Sequence, residues 1–105
     1  AGYCQCSINN VKISQSATKR LVRKVPEWNV TITNNCACSQ LDVKLDCNGF
    51  KTVEKVDPSI MTMSGAECLI VNNGNPLHPH DTVSFTYASA TSFPFTPVSS
   101  QIACS

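Results

Sequence analysis

Seven cysteines are the residues in this sequence best suited to chemistry, and they stand at positions 4, 6, 36, 38, 47, 68 and 104. Thiols form disulfides, bind metal ions or act as nucleophiles. Seven of them in 105 residues predict a disulfide-rich chain from an oxidising compartment, because cytosolic glutathione keeps thiols reduced. We therefore expect a secreted, extracellular protein in which six cysteines pair and Cys4 is free or forms an intermolecular bridge.

The spacing of Cys36 and Cys38 limits the possible pairings. Only one residue separates them, so a bridge between the two is unfavourable, and each should join its strand to a different element. Cys104 should tie the C-terminal segment into the sheet. The sequence does not select the connectivity of the six residues expected to pair, which are Cys6, Cys36, Cys38, Cys47, Cys68 and Cys104.

Zinc binding is the competing interpretation of the same cysteines. Cys4 and Cys6, or Cys36 and Cys38, could supply ligands together with the histidines of the sequence His78-Pro79-His80. Structural zinc sites, however, usually place about two to four residues between paired cysteines. The single-residue spacing here argues against a metal site, and the sequence predicts neither a metal nor another cofactor.

Catalytic residues are not evident in recognisable arrangements. A nucleophilic pair of Cys4 with His78 or His80 has no local signature around it. Asp42 and Asp46 alternate with Lys44 in a pattern typical of a solvated strand face. The sequence also lacks a glycine-rich phosphate loop, a Gly-x-Ser-x-Gly elbow and a His-Glu-x-x-His motif. We therefore predict that the protein is not an enzyme.

The charge distribution argues against two classes of partner. The net charge is +1 and only 14% of the residues are charged, which favours neither nucleic-acid binding nor membrane insertion. Four cations nevertheless fall within six residues and form a basic cluster. This cluster could be a solvated loop or a contact surface for an acidic partner, and it consists of Lys19, Arg20, Arg23 and Lys24.

Two further features suggest surface functions. The sequence Asn29-Val30-Thr31 is an N-glycosylation motif, and strand alternation would point Asn29 and Thr31 outward. In the extended stretch around Pro94, Phe93 and Phe95 should project to the same side. This aromatic pair could be an exposed anchor for a partner, or it could pack beneath the adjacent loop.

Apolar residues recur with period two, which is typical of half-buried strands. The first stripe of inward residues begins at Trp28, and Cys36 and Cys38 would continue it. Ser39-Gln40 is the expected turn before the second stripe, which begins at Leu41. Weaker strands are expected at 11–13 and 98–104, the latter with Val98, Ile102 and Cys104 in one phase, whereas 16–26 should be an exposed connection. The three inward stripes are Trp28, Val30 and Ile32; Leu41, Val43, Leu45 and Cys47; and Val83, Phe85 and Tyr87.

These patterns predict an all-β fold in one domain, residues 1–105. Short strands separated by Asn-, Gly- and Pro-containing turns indicate a small, disulfide-stapled antiparallel β-sandwich, either jelly-roll-like or a partly open barrel. At most one short helical turn is expected, near Pro58, because Asp57 can cap it. The start at Ala1 without a methionine fits a mature chain whose signal peptide has been removed.

An ordered series of landmark residues runs through nearly the whole chain. It comprises Cys6-Ser7, Val11-x-Ile13-x-Gln15, Pro26-Glu27-Trp28-x-Val30, Asn34-Asn35-Cys36, Cys38, Cys47, Gly49-Phe50, Val56-Asp57-Pro58, Cys68-Leu69, Asn73-Gly74-x-Pro76, Phe85-x-Tyr87-Ala88 and Cys104. This series resembles the plant tapetum-determinant-like family of small secreted cysteine-rich proteins. The family's six cysteines correspond to the six residues expected to pair.

The resemblance implies an apoplastic location and, for the best-known branch, a protein ligand of a leucine-rich-repeat receptor kinase that sets cell fate in the anther. Cys4 has no counterpart in the family pattern. The Cys36–Cys38 spacing is tighter than in the founding branch, and the loop at 17–25 is more basic. The anther role is therefore not carried over. The expected function is a secreted signalling-type binding protein with an extracellular receptor. The alternatives are a module that binds cell-wall glycan through Phe93 and Phe95, and a defence protein or inhibitor. The sequence does not indicate an oligomeric state.

Overall fold

The computed structural model describes residues 6–104. Cys4 therefore lies outside the described residues. The described chain contains two single-turn 3-10 helices, Ile8–Asn10 and Asn72–Gly74. Its strands are β1 (Val11–Val22), β2 (Val25–Asn34), β3 (Ser39–Asp46), β4 (Met61–Ser64), β5 (Glu67–Ile70), β6 (Thr82–Ala88) and β7 (Thr96–Ala103).

The strands form two antiparallel sheets. The first has the order β1-β2-β6 and the second the order β4-β5-β3-β7. One cluster of buried side chains from both sheets forms the core. This arrangement confirms the predicted all-β, antiparallel, disulfide-stapled fold class. No helix within residues 6–104 is long and apolar enough to cross a membrane.

Strand alternation places most of the predicted inward residues correctly. Val30 and Ile32 of β2 are fully buried, and so is Tyr87 of β6. Val83 and Phe85 are buried in the same phase as Tyr87, and Val43, Leu45 and Cys47 are buried along and just after β3. Trp28 is half-buried against the core, and its indole Nε1 donates a hydrogen bond to the Ser89 carbonyl at 3.0 Å.

The predicted start of the second stripe is wrong, because the phase changes at a bulge within the strand. The chain turns at 35–38, so β2 does not continue through Cys36 and Cys38, and Gln40 is fully buried inside β3. Asp42 has a φ of 49°, and the pairing of β3 with β7 shifts register beside it. A bulge adds one residue to a strand and reverses the alternation beyond it. Leu41 is consequently only half-buried.

Most of the residues from 16 to 26 are exposed, as predicted, but they form part of a long β-hairpin and not a connection outside the strands. β1 continues to Val22 and β2 begins at Val25, with Val22 paired to Val25. The third strand, β6, pairs with β2 only as far as Glu27. Beyond that point the hairpin is a two-stranded ribbon with no facing sheet, so its sequence lacks the apolar alternation that identifies a half-buried strand.

The last predicted strand is present as β7, and its apolar residues are exposed. Val98 and Ile102 of β7 are 43% and 37% exposed, and Cys104 is exposed as well. β7 is an edge strand of its sheet, so its side chains are less covered than those of a central strand.

The predicted turn near Pro58 forms: the Asp57 carboxylate accepts a hydrogen bond from the Ser59 N–H, and the Asp57 carbonyl accepts one from the Met61 N–H at 3.1 Å.

Three disulfides join the described elements: Cys6 to Cys36, Cys38 to Cys104, and Cys47 to Cys68. Cys36 and Cys38 thus connect to different elements, and Cys104 ties the end of β7 to the turn before β3, as predicted. The three bridges span 30, 66 and 21 residues of sequence. Closing loops of this length stabilises a small domain by about 2 to 5 kcal/mol per bridge.

Two buried amides hold the region where the chain passes from the first sheet to the second. The Asn34 Nδ2 donates to the carbonyls of Cys38 and Leu77 at 2.7 and 2.8 Å. The Gln40 Nε2 donates to the Asn34 Oδ1 at 3.1 Å, and the Gln40 Oε1 accepts from the Ser100 hydroxyl at 2.6 Å. Because both amides are fully buried, each of these hydrogen bonds replaces one lost to water.

Replacing Asn34 with Ala should lower the free energy of unfolding by about 2 to 4 kcal/mol, because buried carbonyls and the Gln40 amide lose their partners. The neighbouring Asn35→Ala variant is the control, since the Asn35 side chain is exposed. It should change stability by no more than about 0.5 kcal/mol. Urea unfolding with the disulfides intact measures both values. Equal losses in the two variants would show that the buried amides do not hold the sheets together.

Candidate functional site

The basic cluster lies at the tip of the β1–β2 hairpin. Arg23 and Lys24 form its two-residue turn, with φ values of 51° and 66°. Two successive left-handed residues are the signature of a type I′ turn, whose twist matches that of the strands. Such turns favour Asn-Gly, because a longer side chain at positive φ is strained. The protein therefore places two large cations where asparagine and glycine would fit better.

A third member of the cluster is also held in a left-handed conformation. Lys19 has a φ of 69° and lies in the bulge where the pairing of β1 with β2 slips between Ala17 and Leu21. A bulge increases the local twist of a strand and redirects its side chains. The hairpin tip, residues 19–24, thus departs from regular strand geometry at both the bulge and the turn.

The hairpin tip is strongly exposed and extends from the body of the protein. The molecule measures 52 × 26 × 22 Å along its principal axes, and β1 alone spans twelve residues. Leu21 is 67% exposed, and the Arg20 side chain is 74% exposed. At the base of the tip is an open pocket of about 250 Å³, lined by Val25, Lys51, Thr52, Val53, Ala88, Ser89 and Ala90. The tip therefore offers positive charge beside apolar surface.

A pair of carboxyl groups lies beneath the tip, and no motif in the sequence indicates it. Glu27 of β2 is buried, and its Oε1 accepts a hydrogen bond from the Thr18 hydroxyl at 2.8 Å and lies 3.8 Å from the Arg20 Nε. Glu54, in the segment that crosses β6, lies within hydrogen-bond reach of Glu27. Its Oε2 accepts from the Thr86 hydroxyl at 3.1 Å.

The two carboxyl groups differ in acidity. The hydrogen bond from Thr18, the contact with Glu54 and the charge of Arg20 hold the pKa of Glu27 below its ordinary value. Burial and the neighbouring Glu27 raise the pKa of Glu54. The Glu54 Oε1 is buried with no hydrogen-bond partner among residues 6–104. A proton on Glu54 makes it a donor to the Glu27 carboxylate, so the pair is stable when it shares one proton.

The aromatic pair is not an exposed anchor. Phe95 is only 6% exposed, and Phe93 is half-buried against the core. Both rings contact Phe50, with centroids 4.9 and 5.3 Å away. The Phe93 N–H donates a hydrogen bond to the Tyr87 hydroxyl at 2.7 Å, and burial raises the pKa of Tyr87. Packing beneath the adjacent loop is therefore the correct alternative, and these rings form no flat surface for a sugar.

The described cysteines are engaged in disulfides. The sulfur atoms of Cys6, Cys36 and Cys38 lie within 4.8 Å of one another, but each belongs to a bridge and offers no thiolate to a metal ion. His78 and His80 are exposed loop residues, and the His78 Nδ1 is 3.2 Å from the Ser39 hydroxyl. Within residues 6–104, no described contact joins either histidine to a cysteine or to the carboxyl pair.

The surface pockets are small and open. Besides the pocket at the hairpin base, others of about 180 to 270 Å³ lie along the outer side of the second sheet, near β3 and β5. Sites for small molecules usually have volumes of about 300 to 1,000 Å³.

Asn29 lies on the outer face of the first sheet, as predicted, and is half-buried.

Comparison with known proteins adds a family relationship. Residues 7–105 match the family model described as Tapetum determinant 1, C-terminal. A rice protein named TPD1 protein homolog 1B is 36% identical over 90 residues, which is 85% of this chain and 53% of that protein. TPD1 protein homolog 1 of Arabidopsis thaliana is 31% identical over 96 residues, which is 90% of this chain and 54% of that protein.

A further Arabidopsis relative, named only as the uncharacterized protein At1g05835, is 33% identical over 86 residues, or 78% of this chain and 66% of that protein. The chain thus spans about half the length of the first two relatives. No solved structure matches it.

From the carboxyl pair we expect the free energy of unfolding to be highest at mildly acidic pH and to fall at both lower and higher pH. The lowered pKa of Glu27 stabilises the fold above the ordinary value of 4.5, and this contribution is lost as the pH falls. The raised pKa of Glu54 stabilises the fold below 4.5, and this contribution is lost as the pH rises through the raised value.

Glu54→Gln should remove much of the loss on the neutral side, because the glutamine amide donates to Glu27 without a proton to lose. Urea unfolding from about pH 5 to about pH 8 measures this slope. Glu67→Gln, at an exposed strand position, is the control and should keep the slope of the unaltered protein. An unchanged slope in Glu54→Gln would contradict the shared proton.

Proposed function

Since this chain belongs to the tapetum determinant 1 family, we propose that it is a secreted signalling-type binding protein, the ligand of a leucine-rich-repeat receptor kinase in the plant apoplast. The receptor class follows from the sequence resemblance. The observation that carries the proposal is the exposed hairpin tip, which presents four cations on a strained bulge and turn. The protein acts by binding and not by catalysis.

The disulfides support an extracellular site of action. All six cysteines among residues 6–104 are bridged, and bridges of this kind persist in oxidising compartments. The family relatives named above are plant proteins. The extracellular compartment of a plant is the apoplast, where a receptor ectodomain is accessible to a secreted ligand.

Backbone strain at the tip supports a role in recognition. Left-handed conformations of residues other than glycine cost free energy and concentrate at functional sites. Asn-Gly at the turn would stabilise the fold more than Arg23-Lys24 does. Because Arg23 and Lys24 stand at an exposed turn where Asn-Gly is favoured, we infer that their side chains have a role outside the fold.

The charge of the tip defines the chemistry of its partner. Four cations lie within six residues, and the nearby Glu27 is buried and lies 3.8 Å from the Arg20 Nε. Glu27 offsets only part of the positive charge of the tip, so the tip favours a partner with an acidic surface. Such charge complementarity mainly increases the rate of association. Leu21 and the apolar base of the tip add contact area that the partner can bury. We therefore assign the receptor an acidic surface with an apolar centre.

The alternatives lack comparable support. A carbohydrate-binding module needs a flat aromatic surface, whereas Phe95 is buried and Phe93 is half-buried in the core. No feature of the described residues favours an inhibitor or another defence protein. Receptor binding through the tip is therefore the function that the geometry supports best.

The double substitution Arg23→Asn/Lys24→Gly tests the proposal with little risk to the fold, because it installs the preferred type I′ turn. Binding to a panel of purified leucine-rich-repeat ectodomains should weaken about tenfold or more, equivalent to about 1.4 kcal/mol. Surface plasmon resonance measures the affinity, and the loss should appear mainly in the association rate at low salt.

Lys12→Gln/Lys44→Gln is the matched control, since it removes the same charge from exposed positions on the two sheets. It should bind like the unaltered protein. If both double variants lose affinity equally, net charge and not the tip governs binding. If the unaltered protein binds none of the ectodomains, the receptor proposal itself fails.

A further inference from the structure

The outer face of the first sheet is a flat array of small polar side chains. Strand pairing aligns it in three rows across β1, β2 and β6: Ser16, Asn29 and Thr86; Ser14, Thr31 and Ser84; and Lys12, Thr33 and Thr82. Eight of these nine side chains are serine, threonine or asparagine. Directly opposed side chains share one face of an antiparallel sheet. The face therefore has neither the apolar centre nor the aromatic residues of a protein interface.

We propose that this face carries an N-linked glycan on Asn29. The inference rests on the secretion in the proposed function, because the modification takes place in the secretory pathway. Asn29-Val30-Thr31 is the only complete acceptor motif in the sequence. The structure places the acceptor Asn29 in the central strand of the polar face.

The modification is a group transfer from a lipid-diphosphate-linked oligosaccharide to the side-chain amide. The bond between the sugar C1 and the diphosphate oxygen breaks, and a bond forms between C1 and the Asn29 Nδ2. The lipid diphosphate leaves with the electron pair of the broken bond, and the proton lost from the amide passes to solvent. The Nδ2 begins with two N–H groups and therefore retains one.

The retained N–H has a partner in the folded protein. The Asn29 Nδ2 donates a hydrogen bond to the Thr31 hydroxyl at 3.3 Å, so one of its two hydrogens satisfies this contact while the other is the one replaced. The Thr31 hydroxyl in turn lies 3.3 Å from the Ser84 hydroxyl. Attachment of the glycan thus requires no polar group of the face to lose its partner.

The surroundings of Asn29 leave room for a sugar. Its direct cross-strand neighbours are Ser16 and Thr86, both short side chains. The adjoining row at Glu27 and Ala88 is covered by the segment that contains Thr52, whose hydroxyl accepts from the Ala88 N–H at 2.9 Å. Thr86, in the row of Asn29, also donates to Glu54 of this segment. The open part of the face therefore extends from the Asn29 side chain toward Lys12, and the glycan lies over these rows.

Glycan attachment at this position spares the hairpin tip. Asn29 lies five residues from Lys24, which is about 16 Å at about 3.3 Å per strand residue. The side chain also projects from the sheet face and not along the strand. The glycan therefore shields the polar face from proteases and from other proteins, while the tip stays available to a partner.

The test is to express the full chain behind a standard secretion signal in cultured plant cells and to analyse the secreted protein by intact mass. The unaltered protein should carry one oligosaccharide. Peptide-N-glycosidase A in heavy-oxygen water should then convert Asn29 to a labelled aspartate. Asn29→Gln and Thr31→Val should lack the sugar, whereas Thr31→Ser should retain it because it keeps the motif.

Non-reduced peptide mapping of each variant checks that the three disulfides form, so that a missing glycan is not attributed to misfolding. Secreted, correctly bridged protein with an unmodified Asn29 overturns the glycan proposal and leaves secretion intact. Transfer in a microsome-supplemented translation, combined with retention of the chain inside plant cells, supports the glycan and overturns the secretion on which the proposed function depends.

Discussion

The fold depends on two buried amides, Asn34 and Gln40, at the point where the chain leaves one sheet for the other. Asn34 ends β2 and binds carbonyls of the turn and of the loop before β6, whereas Gln40 lies in β3 and contacts β7. A buried amide network stabilises only when every member is paired. The disulfides of Cys36 and Cys38 flank this network, so covalent and polar constraints fix the same crossing.

The two ends of the first sheet have different surroundings. One end packs against the second sheet, and the other extends as a two-stranded hairpin. The hairpin tip has strained cations at its turn and a carboxyl pair, Glu27 with Glu54, at its base. Burial and the neighbouring Glu27 raise the pKa of Glu54 at the base, whereas the tip concentrates positive charge.

The sequence by itself determined the strand class, the cysteine roles and much of the core. Period-two stripes in β2 and β6 identify their buried residues, because a side chain in a regular strand alternates between faces. The single-residue spacing of Cys36 and Cys38 excluded a mutual bridge. The outward position of Asn29 followed from the same alternation, and the resemblance to the family followed from the order of cysteines and turns.

Tertiary structure alone decided what alternation and composition cannot encode. The bulge at Asp42 exchanged the burial of Gln40 and Leu41, because one added residue reverses a strand's faces. The part of the hairpin beyond Glu27 carries no apolar stripe, since β6 does not pair with it there. Glu27 and Glu54 are distant in sequence and come together only when the segment across β6 packs on β2. Packing also buried Phe95, for which the local sequence allowed both a core position and an exposed one.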